Sequence, residues 1–414
     1  MILDFTVENF GPFKGPVTMS MHATGMKGLE SNIIETSQVK SGILSSAVVF
    51  GANAAGKTFL IKSLAALKKM VASAYRDGYQ YRWYEPFRLS RDSLGSPVSL
   101  RIRLLISDVL YDYRVSYLAS SVVEESLYHY PKGKRSRVFT REGNTYTGSK
   151  KRVESMTSPS STYLAVASDY NDSVCALVRR AILEDILIFD DLETLIHQSC
   201  VFGSENPEVK RRMVDGLRTA DLGIADYSFH EEEEDVSDMQ RILPPDFFEN
   251  LSKNSDKVLV LKDMSMRHDF EGTDVDPSML SFPLEIESAG TRSMFGLMGP
   301  LVDSLMNGKT IVIDELGAHL HPLITRWIVA QFSGDSNPSG AQLIANTHDL
   351  SLLDMDLLRR DQIWFVNRDV RAGASELYSL SDFNGVRKNS DIRKAYLFGR
   401  FDAVPNIRSR SVMS

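Results

Sequence analysis

The chain has 414 residues, 43% hydrophobic and 24% charged, with 47 basic against 54 acidic side chains for a net charge of −7. That length corresponds to roughly two or three domains with ample core, which excludes a small stapled scaffold. Average hydrophobicity with net acidity argues against wholesale disorder, a membrane protein, or a uniformly basic coat for nucleic acid.

The opening residues Ile2, Leu3, Phe5, Val7 and Phe10 alternate with polar ones, predicting a half-buried strand that stops at Gly11-Pro12, with a second strand after it. The acids Asp4 and Glu8 do not suit a signal peptide, and no stretch reaches about 18 apolar residues, so a cytoplasmic chain with no membrane partner is expected. The run SAVVF, 46–50, is short, apolar and β-branched, as in a strand buried on both faces. A helix is predicted from Lys57, with Leu60, Ile61, Leu64, Leu67 and Val71 on its packed face and Lys62, Lys68 and Lys69 in solvent. Residues 98–130 alternate through Leu100, Ile102, Leu104, Tyr111, Tyr113, Val115 and Tyr117, predicting an antiparallel meander.

The next segment gathers Lys132, Lys134, Arg135, Arg137, Arg141, Lys150, Lys151 and Arg152 into a basic hairpin, either a solvated face or a contact for an acidic partner. Residues 172–199 have helical spacing, with Leu177, Ile182, Ile186 and Leu192 on one face. The two cysteines, Cys175 and Cys200, form no framework and are expected as buried thiols. From 203 to 280 regularity weakens. The run EEEED at 231–235 reads as a solvated loop or face rather than a metal cage, and Pro244-Pro245 as a turn, within an inserted lobe. Regular structure returns with strands at Ile311–Ile313, Leu343–Ala345 and 363–366 and a helix at 322–332.

The strongest motif is GANAAGKT, Gly51 to Thr58, which satisfies G-x-x-x-x-G-K-[ST] between a buried strand and an amphipathic helix. Gly51 and Gly56 let the backbone turn its N–H groups toward phosphate at the helix N-terminus, and Lys57 reaches the outer phosphates. Asn53 and Phe59, within and just after the loop, are further candidates for nucleotide contact. The Thr58 hydroxyl suits Mg²⁺, a hard cation. TIVIDEL, 310–316, ends an apolar strand in Asp314 and Glu315, two acids that are costly to bury unless something offsets them. Mg²⁺-ATP answers that cost, with Asp314 holding the metal and Glu315 polarising the attacking water.

With these motifs the sequence resembles the ABC-type ATPases of the SMC, RecF and OLD group. It is most similar to the free-standing AAA-type ATPases of bacterial abortive-infection and antiphage systems. The likeness is carried also by LDFTVENFGPFKG near the start, YEPFRLS at 84–90, IDELGAHLHP at 313–322 and YLFGRFDAVPNI at 396–407. It implies an α/β fold, a P-loop NTPase of ABC type with a mixed sheet, an antiparallel β subdomain and an inserted mainly helical lobe. The implied division is 1–130 and 281–414 as the two halves of the ATPase head, with the insertion at 131–280. ESAGTRS, 287–293, occupies the place of the family's signature, so Ser288 and Gly290 are implied to bind the γ phosphate held by another protomer. His348, in NTHD, stands where the family has a switch histidine. Ala289 and Gly317 depart from common family residues, and no Q-loop glutamine stands out, Gln80 lying only roughly where one falls.

The resemblance implies an ATP-hydrolysing homodimer or higher homo-oligomer, with Lys57, Glu315 and His348 catalytic, that controls a separately encoded effector, a toxin or nuclease, in antiphage defence. Too few residues follow His348 for a Toprim domain, and no R-x₄₋₆-H pair is evident, so an internal nuclease is not expected. Two other readings stand beside it: a DNA-clamping maintenance ATPase, which the basic segment favours and net acidity opposes, and an ATP-stabilised scaffold that sequesters a toxin with slow turnover. DNA or a phage product is a candidate trigger.

Overall fold

A computed structural model of the chain describes residues 1–72, 83–220, 223–235, 237, 257–269, 274–387 and 390–405. They divide into two compact units, one formed by Met1–Asp190 with Ser304–Ser414 and the other by Asp191–Asp303.

The first unit is built on two sheets. The six-stranded sheet runs in the order Ile186–Phe189, Thr310–Ile313, Gln342–Asn346, Ser46–Phe50, Ile363–Arg368, Ser375–Ser379. All neighbours are parallel except the last pair. Strands Ser46–Phe50, Thr310–Ile313 and Gln342–Asn346 are buried at every position, which is why each reads as an unbroken apolar run. Parallel pairing also brings their carboxyl ends to one edge of the sheet, the usual place for a ligand in such a fold.

The second sheet is antiparallel, in the order Thr145–Thr147, Ser136–Glu142, Val122–His129, Val109–Tyr117, Val98–Ile106, Ile2–Glu8, Val17–Ser20. Leu100, Ile102 and Leu104 are buried, as are Tyr111, Tyr113, Val115 and Tyr117, so the alternation in the sequence is the alternation of the sheet. Gln342 ties the two sheets together. Its side chain accepts from Ile2 N at 2.6 Å and donates to the carbonyls of Ile2 and Leu44 at 3.0 and 3.2 Å.

Helix Lys57–Ala72 buries Leu60, Ile61, Leu64, Leu67 and Val71 as expected. Lys62 and Lys69 are exposed. Lys68, expected to reach solvent, is only partly exposed, and its ammonium donates to the Ile186 carbonyl. Burial lowers its pKa to about 8, against the opposing charge of Asp185.

In the basic segment Lys132, Lys134, Arg135, Arg137, Lys150, Lys151 and Arg152 are exposed, as in a solvated hairpin, and Arg141 is the exception. Arg141 is 1% exposed and donates to the carbonyls of Gly143 and Ser161 at 2.9 and 2.6 Å, with the Glu125 carboxylate 3.9 Å away. Glu125 in turn accepts from Tyr113 Oη at 3.0 Å and from the N–H groups of Tyr163 and Leu164 at 2.6 and 2.9 Å. Lys150 pairs with Asp172 at 2.7 Å. Charge that looks continuous in the sequence is divided between the core and the surface.

Residues 172–199 are not one helical stretch. Helices Ser173–Glu184 and Leu192–Glu205 flank the strand Ile186–Phe189, which pairs in parallel with Thr310–Ile313. The inserted unit therefore starts at Asp191 rather than at 131, because residues 131–190 complete both sheets of the first unit.

The second unit contains helices Leu192–Glu205 and Pro207–Thr219, most of helix Ala289–Asn307, and a three-stranded antiparallel sheet of Ile224–Asp235, Lys257–His268 and Ser281–Pro283. Ser199 Oγ donates to the Phe295 and Gly296 carbonyls at 2.9 and 2.7 Å, and Tyr227 packs edge-on to Phe295. The run 231–235 lies on a paired strand and not in a loop; Lys262 opposite reaches Glu232 at 2.8 Å and Glu234 at 2.5 Å, which offsets the repulsion among the acids. Cys175 and Cys200 are both buried. Gln80 and Pro244-Pro245 lie outside the described residues. Among the described residues, no helix is long and apolar enough to cross a membrane.

Candidate nucleotide site

The loop between Phe50 and Lys57 sits at the carboxyl edge of the parallel sheet. A Cβ on Gly51 would lie 2.5 Å from the Val366 carbonyl oxygen, closer than any side chain tolerates, so the neighbouring strand dictates glycine there. Gly56 has φ +119°, a conformation that L side chains rarely adopt, and it turns the chain into the helix. The Ala55 carbonyl accepts from Ser375 Oγ at 2.5 Å, which pins the loop to the last strand of the sheet. Lys57 is 7% exposed, and its ammonium donates to the carbonyls of Gly51 and Ala52 at 2.8 and 3.0 Å. Burial lowers its pKa, while the charges of Asp314 and Glu315 pull it back up.

The acid pair stands one strand away from that loop. Thr58 Oγ1 donates to Asp314 Oδ1 at 3.2 Å, bringing together two hard oxygen donors of the kind Mg²⁺ takes. Asn346, at the end of the intervening strand, donates through Nδ2 to the same Asp314 oxygen and accepts from Glu315 N at 2.7 Å. The sequence reading passed over Asn346; its signal was a single polar residue closing the buried run LIA. Glu315 is held with φ +58°, left-handed for a non-glycine residue, which costs about 1–2 kcal/mol and leaves its side chain exposed. Strain of this kind persists only where the surroundings over-determine it.

Asn53, Gly56, Lys57, Thr58, Phe59, Glu315, Asn346 and His348 line one cleft of about 750 Å³, with Gly11-Pro12 and Glu85–Leu89 forming other parts of its wall. That volume lies in the range of small-molecule sites, and the floor is a helix start with free N–H groups, so the residues present fit a magnesium-bound nucleoside triphosphate. Phe59 stands edge-on to Phe10, with ring centroids 6.2 Å apart. Burial first, then the positive charge of Lys57, hold the His348 imidazole below its usual pKa, with Glu315 opposing. That environment favours the neutral ring, which can donate one hydrogen bond. Ser288 and Gly290 belong to the second unit. Ser288 Oγ accepts from Thr291 N at 3.1 Å, and Gly290 lies in the first turn of helix Ala289–Asn307.

An acid-bearing strand separated from the phosphate-loop strand by one intervening strand, with a separate antiparallel sheet in the same unit, puts the protein among P-loop NTPases of the ABC type. The family profile described as "AAA domain, putative AbiEii toxin, Type IV TA system" matches residues 46–152 and 217–354, and the chain belongs to that family. No curated protein matches it. Among solved structures, an Smc head bound to the C-winged helix domain of ScpA is 13% identical with a TM-score of 0.46, covering 91% of this chain and 97% of that one. The SMC head domain from Thermotoga maritima is 12% identical, TM-score 0.42, covering 91% and 98%. A head domain with an extended coiled coil from Pyrococcus furiosus, bound to the C-terminal domain of ScpA, is 12% identical, TM-score 0.38, covering 97% and 99%. At scores of this size the fold assignment rests on the sheet topology and the family match.

Proposed function

We propose that the chain binds Mg²⁺-ATP at the 51–58 loop and hydrolyses it in a site completed by Ser288 and Gly290 of a second copy, and that this cycle controls a separately encoded toxin or nuclease in antiphage defence. The observation that carries the reading is the chain of contacts from Thr58 through Asp314 and Asn346 to Glu315. Magnesium held by Thr58 and Asp314 would neutralise phosphate charge. Lys57 exchanges its loop carbonyls for phosphate oxygens. Asn346 fixes the Asp314 carboxylate and, by taking the Glu315 N–H, orients the neighbouring acid to accept a proton from water. His348 donates to the terminal phosphate. A phosphate contacted by two copies gives ATP a differential affinity for the associated state, which is what lets turnover drive association and release.

The family description, which couples an AAA domain to a toxin–antitoxin system, supports an effector partner. The DNA-clamp reading keeps the exposed basic residues of the 132–152 segment without Arg141, which is internal, and net acidity opposes it. Glu315→Gln is expected to keep ATP affinity, accumulate ATP-bound dimers and lose about 10²- to 10⁴-fold in turnover, as for removal of a general base. Lys57→Ala is expected to abolish ATP retention, and both variants to abolish protection against phage when expressed with the neighbouring genes. Parental turnover in Glu315→Gln refutes the proposal.

A further inference from the structure

One polar contact in the second unit has no part in the roles above. Strand Lys257–His268 ends in His268, whose Nε2 lies 2.7 Å from Oε1 of Glu287, both side chains being 10% exposed. At that burial losing the contact is costly, because a desolvated polar group deprived of a partner costs more than an ordinary hydrogen bond gains. Glu287 immediately precedes Ser288. Its backbone is extended, with φ −66° and ψ 153°, so the two side chains leave the chain on opposite sides. The inner one is gripped by His268; the outer one, Ser288, is exposed.

The grip is reinforced along the chain. Ser265, Met266 and Arg267 face Pro283, Phe282 and Ser281 in register, and the His268 ring lies 5.4 Å from that of Phe282. The same strand pairs on its other side with Ile224–Asp235. Hairpin, short strand, Glu287 and the Ser288 cap of helix Ala289–Asn307 thus form one continuous run of hydrogen bonds.

We infer that His268 is a positioning residue for the 287–293 segment: by clamping Glu287 it sets the approach of Ser288 to the terminal phosphate held by another copy, and it ties that approach to the position of the hairpin. This rests on the composite site proposed above. The test compares the full chain carrying His268→Leu, which removes the ring nitrogens, with His268→Gln, whose amide nitrogen reaches near the place of Nε2, and with Ser288→Ala. ATP affinity, ATP-dependent dimerisation and steady-state turnover are measured for each.

His268→Leu is expected to keep ATP affinity within about twofold, because only contacts made in the closed state are lost. Its kcat and dimer fraction should fall about 3- to 30-fold, the size of coupling carried through an intermediary residue. His268→Gln should recover most of that loss. If His268→Leu is insoluble, His268→Asn, too short to reach Glu287, makes the same comparison. Parental turnover in His268→Leu beside an impaired Ser288→Ala overturns the positioning role, as does a loss that His268→Gln fails to recover. Parental turnover in Ser288→Ala overturns the composite site and this inference with it.

Discussion

Asn346→Ala and Asn346→Asp probe the contact that joins the two acids. Asn346 is 1% exposed and makes two bonds, to the Asp314 carboxylate and from Glu315 N at 2.7 Å. A hydrogen bond to a charged group is worth about 1.5–3 kcal/mol, and an orphaned buried N–H costs about 1–3 kcal/mol. Glu315 is exposed, so water recovers part of the second term, and Asn346→Ala should cost about 2–4 kcal/mol in all. Asn346→Asp keeps an acceptor for Glu315 N but sets a carboxylate against Asp314. Two such charges at about 4 Å repel by about 4 kcal/mol at an effective dielectric of 20. One carboxyl of that pair takes up a proton, so its folded pKa rises above the unfolded value. A raised folded pKa contributes stability that is complete below the ordinary carboxylate range and lost as pH rises through the raised value. Asn346→Asp should therefore resemble the parent at pH 4 and be weakened at pH 8, with Mg²⁺ restoring the difference. The assay is the urea unfolding midpoint at both pH values with and without Mg²⁺. A loss under about 0.5 kcal/mol in Asn346→Ala, or no pH dependence in Asn346→Asp, would refute the reasoning.

His348 is held below its usual pKa, so in the free chain its contribution to stability is present above the unfolded imidazole value and lost as pH falls through the lowered one. A triphosphate beside it raises that pKa; binding should take up protons and tighten as pH falls from 7 toward 6, seen by calorimetry in buffers of different protonation enthalpy, and His348→Gln should lose its share of the uptake. Glu125→Ala leaves the Arg141 guanidinium buried with no carboxylate and strips the acceptor from Tyr163 N and Leu164 N, an expected loss of about 3–5 kcal/mol by urea unfolding. Glu125→Ala combined with Arg141→Met should lose less than Glu125→Ala alone; equal losses would show that the unpaired charge is not the cause.

The candidate cleft was legible because its parts lie at the ends of short apolar runs: SAVVF before Gly51, TIVI before Asp314, and LIA before Asn346 and His348. Parallel strands buried on both faces leave such runs, and a polar residue at their carboxyl ends has few other reasons to be there. Asn346 was missed because an amide closing a strand is unremarkable until the neighbouring acids are placed beside it. The strand Ile186–Phe189 was hidden by accident of spacing, since Ile182, Ile186 and the residues after them also fit a helical period. The acidic strand Ile224–Asp235 was unreadable locally, because glutamate is a poor strand former and Lys262, which offsets it, lies far along the chain on the next strand. Arg141 shows the limit of charge counting: nothing in KGKRSRVFTRE distinguishes the one arginine that faces a buried carboxylate.

The placing of strand Ser46–Phe50 has a consequence for how the protein is made. Its partners on either side are Gln342–Asn346 and Ile363–Arg368, and Thr310–Ile313 comes only after the whole second unit. On a ribosome adding about 5–20 residues per second, the glycine loop emerges early and then waits while the strands that will hold it are still being translated. Pairing over such long separations is slow to close and exposes an apolar edge meanwhile. The candidate site is therefore among the last features to mature, and a nascent chain interrupted before its final third lacks the strands that carry Asp314, Glu315 and Asn346.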